Sequence, residues 1–326
     1  MKGKVVIFGG AGFIGSYLTE ELLKREYSVI VADIKQNQYT EKAEFVYCDI
    51  TSPEQIAQAI PENTDYIYNF AGFANLERSV KHPVDTVRLN IMGNLYILDE
   101  LRRRNIKRYV FASSAYALND KGSFYGVSKL ASEKLVEEFY RQYGIKYTIL
   151  RYGSVYSERD FDNNYIYSLI KTIINEHKVV HTGDGNEIRE YIHASDVASM
   201  AADVIASEEY ANQYMILTGV ERMKRKELFE MIREILGEDF EVILQNSGYV
   251  NHYRITPYSF QPTMSRKMVA NTYVDMGQGI LECIKQVYKE KENDKCCPPT
   301  GMACALKYRP IRRSAGATRR IIRQSA

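Results

Sequence analysis

A glycine-rich turn near the start of the chain restricts the possible folds more than any other feature of the sequence. The apolar run at residues 4–8 predicts a buried strand, and it leads directly into GGAGFIG at residues 9–15. Apolar residues at helical spacing then continue to residue 26, so a helix is expected to begin near Phe13 and Ile14. The segment therefore predicts a strand, a tight turn and a helix in immediate succession.

Three glycines of this turn stand where a bound dinucleotide would require them. Gly9 permits the turn, Gly12 lets the backbone approach a pyrophosphate, and Gly15 lets the helix pack closely on the strand. The first turn of the helix, which includes Phe13 and Ile14, offers free N–H groups and the positive end of the helix dipole to phosphate. The segment therefore predicts a dinucleotide-binding site.

An acidic residue follows at the position that would distinguish NAD from NADP. Asp33 comes just after the second predicted strand, 18 residues after Gly15. A carboxylate there accepts hydrogen bonds from ribose hydroxyls and repels a 2′-phosphate. We therefore expect NAD as the cofactor.

Strands and helices alternate through the first half of the chain. Strands are predicted at residues 4–8, 28–32, 44–47, 66–70, 108–112 and 146–150, and helices at 13–26, 53–60, 84–104 and 125–143. Alternation at these lengths implies right-handed crossovers and an α/β fold, a doubly wound parallel sheet with helices on both faces.

The second half of the chain loses this regular alternation. Helical patterns recur at residues 165–176, 195–207, 224–236 and 277–291, with turn-rich pieces between them. We expect a dinucleotide-binding domain at residues 1–151 with later segments interleaved. A smaller substrate-binding lobe would occupy residues 152–294, and a tail residues 295–326.

The predicted tail differs in charge from the rest of the chain. Residues 296–326 carry seven arginines and lysines and no acidic residue, so the net charge of +2 leaves 2 − 7 = −5 for the other residues. This composition is typical of a disordered extension, with a basic arm for an anionic surface as the alternative. The mildly acidic body predicts no nucleic-acid-binding face.

Several other classes of protein are disfavoured by what the sequence lacks. It contains no apolar run long enough to span a membrane and no signal peptide, so we expect a cytoplasmic protein. The five cysteines show no disulfide or zinc spacing, and the five histidines are not paired at metal-ligand spacing. We expect no metal site.

The glycine spacing GxxGxxG resembles the short-chain dehydrogenase/reductase superfamily. Residues 5–18 look like its extended branch, the NAD-dependent nucleotide-sugar epimerases and dehydratases, and the resemblance continues to about residue 290. It implies a Rossmann-type fold that binds NAD. In this family an acidic residue such as Asp49, next to Ile50, meets the adenine.

Further segments carry the resemblance and imply further site residues. Phe70, Ala71 and Gly72 stand at the strand end beneath the cofactor, Asn90 matches the central-helix asparagine, and Tyr152 lies in the segment LRYGSVY. The same resemblance suggests Ser154, where relatives carry asparagine, and Arg189 as substrate contacts, with Arg189 meeting the nucleotide diphosphate. Arg254, in a late loop, could reach a phosphate, and an exposed surface arginine is the alternative.

The sequence YGVSK at residues 125–129 predicts the catalytic pair. On a helix, Tyr125 and Lys129 share a face, so the ammonium would favour ionisation of the phenol and lower its pKa. Such a tyrosinate can take a proton from a sugar hydroxyl. The motif opens the helix after the fifth strand, where the superfamily places it.

A serine at the end of the fifth strand should complete this site. Aligned with the family pattern, Ser114 is the better candidate and Ser113 the alternative, and its hydroxyl would hold the reacting oxygen. The family's dehydratases carry Thr-Asp-Glu here, whereas this chain has Ser114-Ala115-Tyr116 and lacks the two proton-shuttling acids. The sequence therefore disfavours dehydration.

These observations favour oxidation of a nucleotide-sugar hydroxyl, at C4 in similar proteins, by an NAD-dependent epimerase or 4-dehydrogenase. A reductase of 4-keto nucleotide sugars, using NAD(P)H and the same residues in reverse, is the alternative. A non-catalytic NAD-binding regulator is a third reading. In similar proteins the helices predicted at 84–104 and 125–143 pair across a dimer axis, so we expect a homodimer with no nucleic-acid or membrane partner.

Overall fold

The computed structural model describes residues 2–118, 121–245, 252–255 and 265–296. The chain divides into two units, residues 1–287 and 288–326. Of the second unit, only residues 288–296 are described, as the end of the last helix. The predicted tail beyond residue 296 lies outside the described residues, and the predicted lobe boundaries at residues 152 and 294 stay a prediction.

The first unit is built on eight parallel strands. They are β1 (Lys4–Phe8), β2 (Ser28–Asp33), β3 (Glu44–Tyr47), β4 (Tyr66–Asn69), β5 (Arg108–Ser114), β6 (Tyr147–Tyr152), β11 (Gln213–Leu217) and β14 (Arg266–Met268). Their order across the sheet is β14-β11-β6-β5-β4-β1-β2-β3. This confirms the predicted doubly wound sheet and adds β11 and β14, which the sequence pattern did not reveal.

The remaining strands form three two-stranded pairs. They are β7 (Ser154–Tyr156) with β10 (Tyr191–His193), β8 (Lys178–Thr182) with β13 (Glu241–Gln245), and β9 (Ile188–Arg189) with β12 (Met223–Lys224). The first two pairs are parallel and the third is antiparallel. These short pairs belong to the part of the chain in which the regular alternation is lost.

Ten α-helices connect or flank the described strands. They are α1 (Phe13–Lys24), α2 (Pro53–Ala59), α3 (Leu76–Lys81), α4 (Pro83–Val87), α5 (Gly93–Leu101), α6 (Ser123–Tyr143), α7 (Tyr165–Glu176), α8 (Ala194–Asp203), α9 (Arg225–Leu236) and α10 (Met276–Cys296). Short 3-10 turns occur at Gln38–Thr40, Ala115–Leu118 and Glu208–Tyr210.

Alternate residues of each central strand face opposite sides of the sheet, which divides the core into two layers. Val5 and Ile7 of β1 pack with helices α1 and α8 on one face. Val6 and Phe8 pack with α2, α5 and α6 on the other. A third apolar cluster joins α7, α9 and the part of α10 up to Val287. The sheet is therefore buried on both faces, as its continuous apolar runs predict.

The helix predicted at residues 84–104 is interrupted in the structure. It consists of α4, a π-helical turn at Arg88–Met92 and α5, which ends at Leu101. A π turn inserts one extra residue and frees backbone groups. Here the carbonyl of Asn90 accepts a hydrogen bond from the Ser132 hydroxyl at 2.8 Å, so the neighbouring helix α6 stabilises the interruption.

Candidate active site

A cleft of about 440 Å³ opens where the central strands end. Because parallel strands present their carboxyl ends at one edge of a sheet, residues far apart in sequence meet there. Every residue predicted to bind the cofactor lines this cleft except Asn90. The cleft residues include Gly9, Gly12, Phe13, Ile14, Gly15, Asp33, Asp49, Ile50, Phe70, Ala71, Gly72, Tyr125, Lys129 and Tyr152.

The glycine turn has the shape that a pyrophosphate requires. A Cβ atom at Gly15 would lie 2.2 Å from the Gly9 carbonyl oxygen, so this position must lack a side chain for the helix to approach the strand. At Gly12, by contrast, a Cβ would meet only the Gly9 oxygen, at 3.1 Å, and would otherwise occupy the cleft. Gly12 is also the N-cap of α1 and has no side chain to cover the first N–H groups. The turn therefore fits a dinucleotide phosphate.

Asp33 is held at the rim of the cleft by the glycine turn itself. Its carboxylate accepts a hydrogen bond from the Ala11 N–H at 3.0 Å, which fixes its orientation after β2. Burial raises the pKa of this carboxyl, while the backbone hydrogen bonds oppose the rise. The side chain stands where the sequence predicts a ribose contact.

Tyr125, Ser114 and Lys129 meet on the other side of the cleft. Ser114 ends β5, Tyr125 lies in the first turn of α6, and both residues line the cleft. The Lys129 ammonium lies 5.9 Å from the centre of the Tyr125 ring and donates to the Ala112 carbonyl at 2.8 Å. A phenol, a hydroxyl and an ammonium group therefore line one wall together.

Burial dominates the acid–base character of this wall. It lowers the pKa of Lys129 to about 8, although Glu133 acts in the opposite direction. Burial also raises the pKa of Tyr125, the Ser114 hydroxyl acts to lower it, and the nearby Tyr253 raises it further. The sequence predicted a lowered phenol pKa from the lysine alone. The structure differs because burial disfavours the charged phenolate more than the neighbouring groups favour it.

The second serine of β5 has a different environment. The Ser113 hydroxyl donates to the fully buried Glu133 carboxylate at 2.6 Å. Glu133, one turn after Lys129 on α6, also pairs with the Arg151 guanidinium of β6 through contacts of 2.8 and 2.9 Å. Ser113 lines the cleft, but its hydroxyl is committed to this buried pair. This geometry favours Ser114 over Ser113 as the partner of Tyr125.

Asn90 lies behind the cleft wall. Its side chain accepts from the Phe73 N–H at 2.6 Å and donates to the Phe73 carbonyl at 3.0 Å and to the Ser128 hydroxyl at 2.8 Å. These bonds join the segment after β4 to helix α6, one residue before Lys129. The structure therefore gives Asn90 a bracing position, and its predicted contact with the cofactor stays a prediction.

Of the predicted substrate residues, Ser114 lines the cleft, whereas Ser154, Arg189 and Arg254 do not. Ser154 lies between two residues that do, Gly153 and Val155, as expected where side chains alternate along a strand. Arg254 is exposed. Arg189 is buried, and its guanidinium lies 4.2 Å from the centre of the Tyr253 ring. Their substrate roles stay predictions.

A chain of aromatic side chains links Arg189 to Tyr125. The Tyr253 ring lies 4.7 Å from the Tyr116 ring, and Tyr116 lies 6.2 Å from Tyr125. The Tyr116 hydroxyl also hydrogen-bonds His252 Nδ1 at 2.8 Å. Arg189 therefore lies on the Tyr125 side of the site, beyond the cofactor residues.

Comparison with known proteins agrees with this geometry. The model of the NAD dependent epimerase/dehydratase family matches residues 5–216. The chain belongs to this family. The match confirms the family, the α/β fold and the NAD-dependent class of enzyme that the sequence predicted.

Individual relatives of this NAD dependent epimerase/dehydratase family member are distant. A protein of Methanocaldococcus jannaschii, provisionally named UDP-glucose 4-epimerase, is 29% identical over 77% of this chain and 88% of its own length. Two solved structures share the fold. A UDP-glucuronic acid 4-epimerase of Bacillus cereus, in complex with NAD and UDP-4-deoxy-4-fluoro-glucuronic acid, has 20% identity and a TM-score of 0.76 over 88% of this chain and 99% of its own. The UDP-glucose 4-epimerase of Thermotoga maritima, with UDP-glucose, has 24% identity and a TM-score of 0.72 at the same coverage.

Sequence reasoning missed several residues that this family member brings to the site. Asn163 lines the cleft, although it follows β7 in a turn-rich segment that carries no motif. Tyr116 and Tyr253 pack near Tyr125, and only the position of Tyr116, two residues after Ser114, could have signalled it. The contact of Tyr253 depends on folding of the lobe and has no local signal.

One group of potential metal ligands occurs among the described residues. Ligand atoms of Glu158, His193 and Glu282 lie within 4.8 Å of one another. Hydrogen bonds account for part of this arrangement, since Glu158 accepts from the Tyr17 hydroxyl at 2.8 Å and contacts His193 Nε2 at 3.1 Å.

Among the described residues, no helix has the length and apolar character needed to cross a membrane.

Proposed function

We propose that this protein is an NAD-dependent enzyme that oxidises a hydroxyl of a nucleotide sugar, at C4, as an epimerase or 4-dehydrogenase. The observation that carries the proposal is the meeting of Tyr125, Ser114 and Lys129 on one wall of the cleft that also contains the glycine turn. Family membership and relatives named for UDP-sugar 4-epimerases support it. The reaction would belong to carbohydrate biosynthesis.

Each residue of the wall has a role that its position allows. Tyr125 would take the proton of the sugar hydroxyl as general base, and Ser114 would hold the reacting oxygen by its hydroxyl. Lys129, held by the Ala112 carbonyl, would supply positive charge near the phenol and bind a ribose hydroxyl. The glycine turn would bind the pyrophosphate, and Asp33 and Asp49 the adenosine. When bound, the nicotinamide supplies the acceptor and donor for hydride.

The wall favours oxidation or epimerisation over dehydration. Elimination of water requires acids that move protons to the leaving hydroxyl, and the residues after Ser114 are Ala115 and Tyr116. Tyr116 instead hydrogen-bonds His252 and packs against Tyr253. Since Arg189 lies next to this aromatic group, we propose that the nucleotide diphosphate binds on that side.

The proposal is tested by offering purified protein and NAD a panel of UDP-, GDP-, CDP- and dTDP-sugars. Absorbance near the NADH band and chromatography of the sugars are recorded together. Accumulating NADH identifies a net dehydrogenase, and conversion to the epimer without a lasting band identifies an epimerase. No change in either signal would contradict the proposal and favour the 4-keto reductase or the non-catalytic regulator.

We also propose that the protein is a homodimer formed through helices α4 and α6. These adjacent helices leave apolar side chains exposed, most fully Val84 at 76% and Val127 at 66%, with Val87, Phe124 and Leu130 beside them. Apolar surface of this kind is typical of a protein interface. Light scattering should give twice the mass of the chain, and Val127→Asp should give the monomer. A monomeric wild-type protein would contradict the assignment.

A further inference from the structure

A short segment after β7 crosses the N-terminal half of helix α1. We call residues 158–163 the clasp. The Arg159 guanidinium lies between two tyrosine rings, 3.6 Å from the centre of Tyr17 and 3.8 Å from that of Tyr39. It also donates to the Ser16 hydroxyl at 3.1 Å and pairs with Glu20. One side chain of the clasp is thus attached to α1 by stacking, a hydrogen bond and an ion pair.

A second side chain of the clasp packs against the first residue of α1, which follows the glycine turn. The Phe161 ring lies 5.7 Å from Phe13, which lines the cleft, and 6.2 Å from Tyr39. Tyr39 belongs to the 3-10 turn that Asn37 caps, and the Asn37 amide donates to the Ala11 carbonyl of the glycine turn at 2.6 Å. The clasp and the 37–40 turn therefore contact each other beside the glycine turn.

Hydrogen bonds fix both ends of the clasp. At one end, Glu158 accepts from the Tyr17 hydroxyl at 2.8 Å and contacts His193 at 3.1 Å. At the other end, the buried Asn164 amide donates to the carbonyl oxygens of Ser157 at 2.6 Å and Arg159 at 2.8 Å. Between these ends, Asn163 reaches the cleft. The segment is therefore attached at both ends and reaches the cleft between them.

We infer that the clasp retains the dinucleotide in its cleft, with Arg159 and Phe161 as the positioning residues. A stacked, largely buried guanidinium forms stronger contacts than an exposed one, so opening the clasp requires several of them to break together. The inference rests on the proposed function and refines it. An epimerase must keep its dinucleotide through both halves of a turnover, whereas a net dehydrogenase must exchange it, so the clasp favours the epimerase.

The test compares NADH dissociation from wild type, Arg159→Met and the control Lys171→Met. The control breaks the ion pair between Lys171 and Asp160 on the exposed side of the clasp and leaves every contact with α1 in place. Dissociation is followed by the loss of NADH fluorescence after dilution into excess NAD, and NAD that copurifies is quantified. We expect dissociation to become about tenfold to a hundredfold faster in Arg159→Met, as loss of a stacked cation and its ion pair implies. Lys171→Met should match wild type.

The design of this test keeps the inference separate from the proposed function. Dissociation of NADH needs no nucleotide sugar, so it can fail or succeed whatever the reaction proves to be. If Arg159→Met does not fold, Phe161→Leu is measured in its place, with a smaller increase in the same direction. Wild-type dissociation rates in a folded variant with a lowered melting temperature would overturn the inference and leave the clasp as a structural brace only.

Discussion

The cofactor end and the substrate end of the site were predictable to very different degrees. At the cofactor end, Gly12 and Phe70 follow β1 and β4, Asp33 ends β2, and all three line one cleft, because the parallel sheet brings the ends of its strands together. At the substrate end, Ser154 and Arg189 lie on short strands outside the main sheet and do not line it. A motif at the end of a strand in the main sheet therefore predicts which residues it will meet in the folded protein. A motif in the second half of the chain does not predict this, because the position of its segment depends on longer-range packing.

The largest expected effect is at Tyr125, the proposed general base, which lies between the cofactor end and the substrate end. Tyr125→Phe removes the general base, so turnover should fall by about 10²- to 10⁴-fold. The amount of NAD that copurifies should not change, because the phenol hydroxyl is one of many contacts in the cleft. Tyr143→Phe, at the exposed end of the same helix, is the matched control and should be as active as wild type. Unchanged turnover in Tyr125→Phe would rule out the proposed role.

Two neighbouring serines give the next largest effect. Ser114→Ala should lower kcat by about 10²-fold with little change in melting temperature, since it removes a donor to the reacting oxygen. Ser113→Ala leaves the buried Glu133 short of one donor and should instead lower the free energy of unfolding by about 1–3 kcal/mol. Measuring kcat and urea unfolding for both variants decides the assignment. A greater loss of kcat in Ser113→Ala would exchange the two roles.

A smaller effect is expected for the discrimination between NAD and NADP at the cofactor end. Asp33→Asn removes the charge that repels a 2′-phosphate while keeping an acceptor for the Ala11 N–H. The preference for NAD over NADP, measured as the ratio of the two Kd values by calorimetry, should fall by about tenfold. Asp49→Asn, on the adenine side, should weaken both cofactors equally. An unchanged ratio in Asp33→Asn would place the ribose elsewhere.

The last expected effect concerns stability and not binding or turnover, and it is a pH dependence caused by Lys129. Its pKa is lowered to about 8 in the folded protein and is about 10.4 in an unfolded chain, so between these values the unfolded chain binds more protons. Stability from this group therefore rises with pH, by at most about 1.4 kcal/mol per pH unit, from pH 8 to pH 10. Urea unfolding of wild type and Lys129→Met across this range measures the difference. Parallel curves would contradict the lowered pKa.

The sequence revealed those parts of the fold that depend on local pattern. The six strands of the first half and the helix at 165–176 occur where apolar periodicity predicted them, because each element repeats one spacing over its length. Strand β14 has only three residues and pairs with β11, far away in sequence, so its spacing carries no signal. The π turn at Arg88–Met92 depends on the Ser132 hydroxyl of another helix.

The chemistry of the site was predictable from the sequence only where contacts are local. The spacing of Tyr125 and Lys129 predicted a shared helix face, and both side chains line the cleft. The direction of the Tyr125 pKa shift was wrong, because burial by the surrounding fold outweighs the nearby lysine. The commitment of Ser113 to Glu133 and Arg151 requires β6 and α6 to be packed, which a linear motif cannot reveal.

The π turn has a consequence for how the chain can change in length. Asn90 and its carbonyl secure α6 at Ser128 and Ser132, so the rotational setting of Tyr125 is fixed by a neighbouring helix. Deleting one residue from Arg88–Met92 would rotate the residues after the deletion by about 100° relative to those before it. The side chain and carbonyl of Asn90 would then no longer face Ser128 and Ser132 together. A deletion within the π turn is therefore expected to disturb the setting of Tyr125, although Tyr125 lies on a different helix.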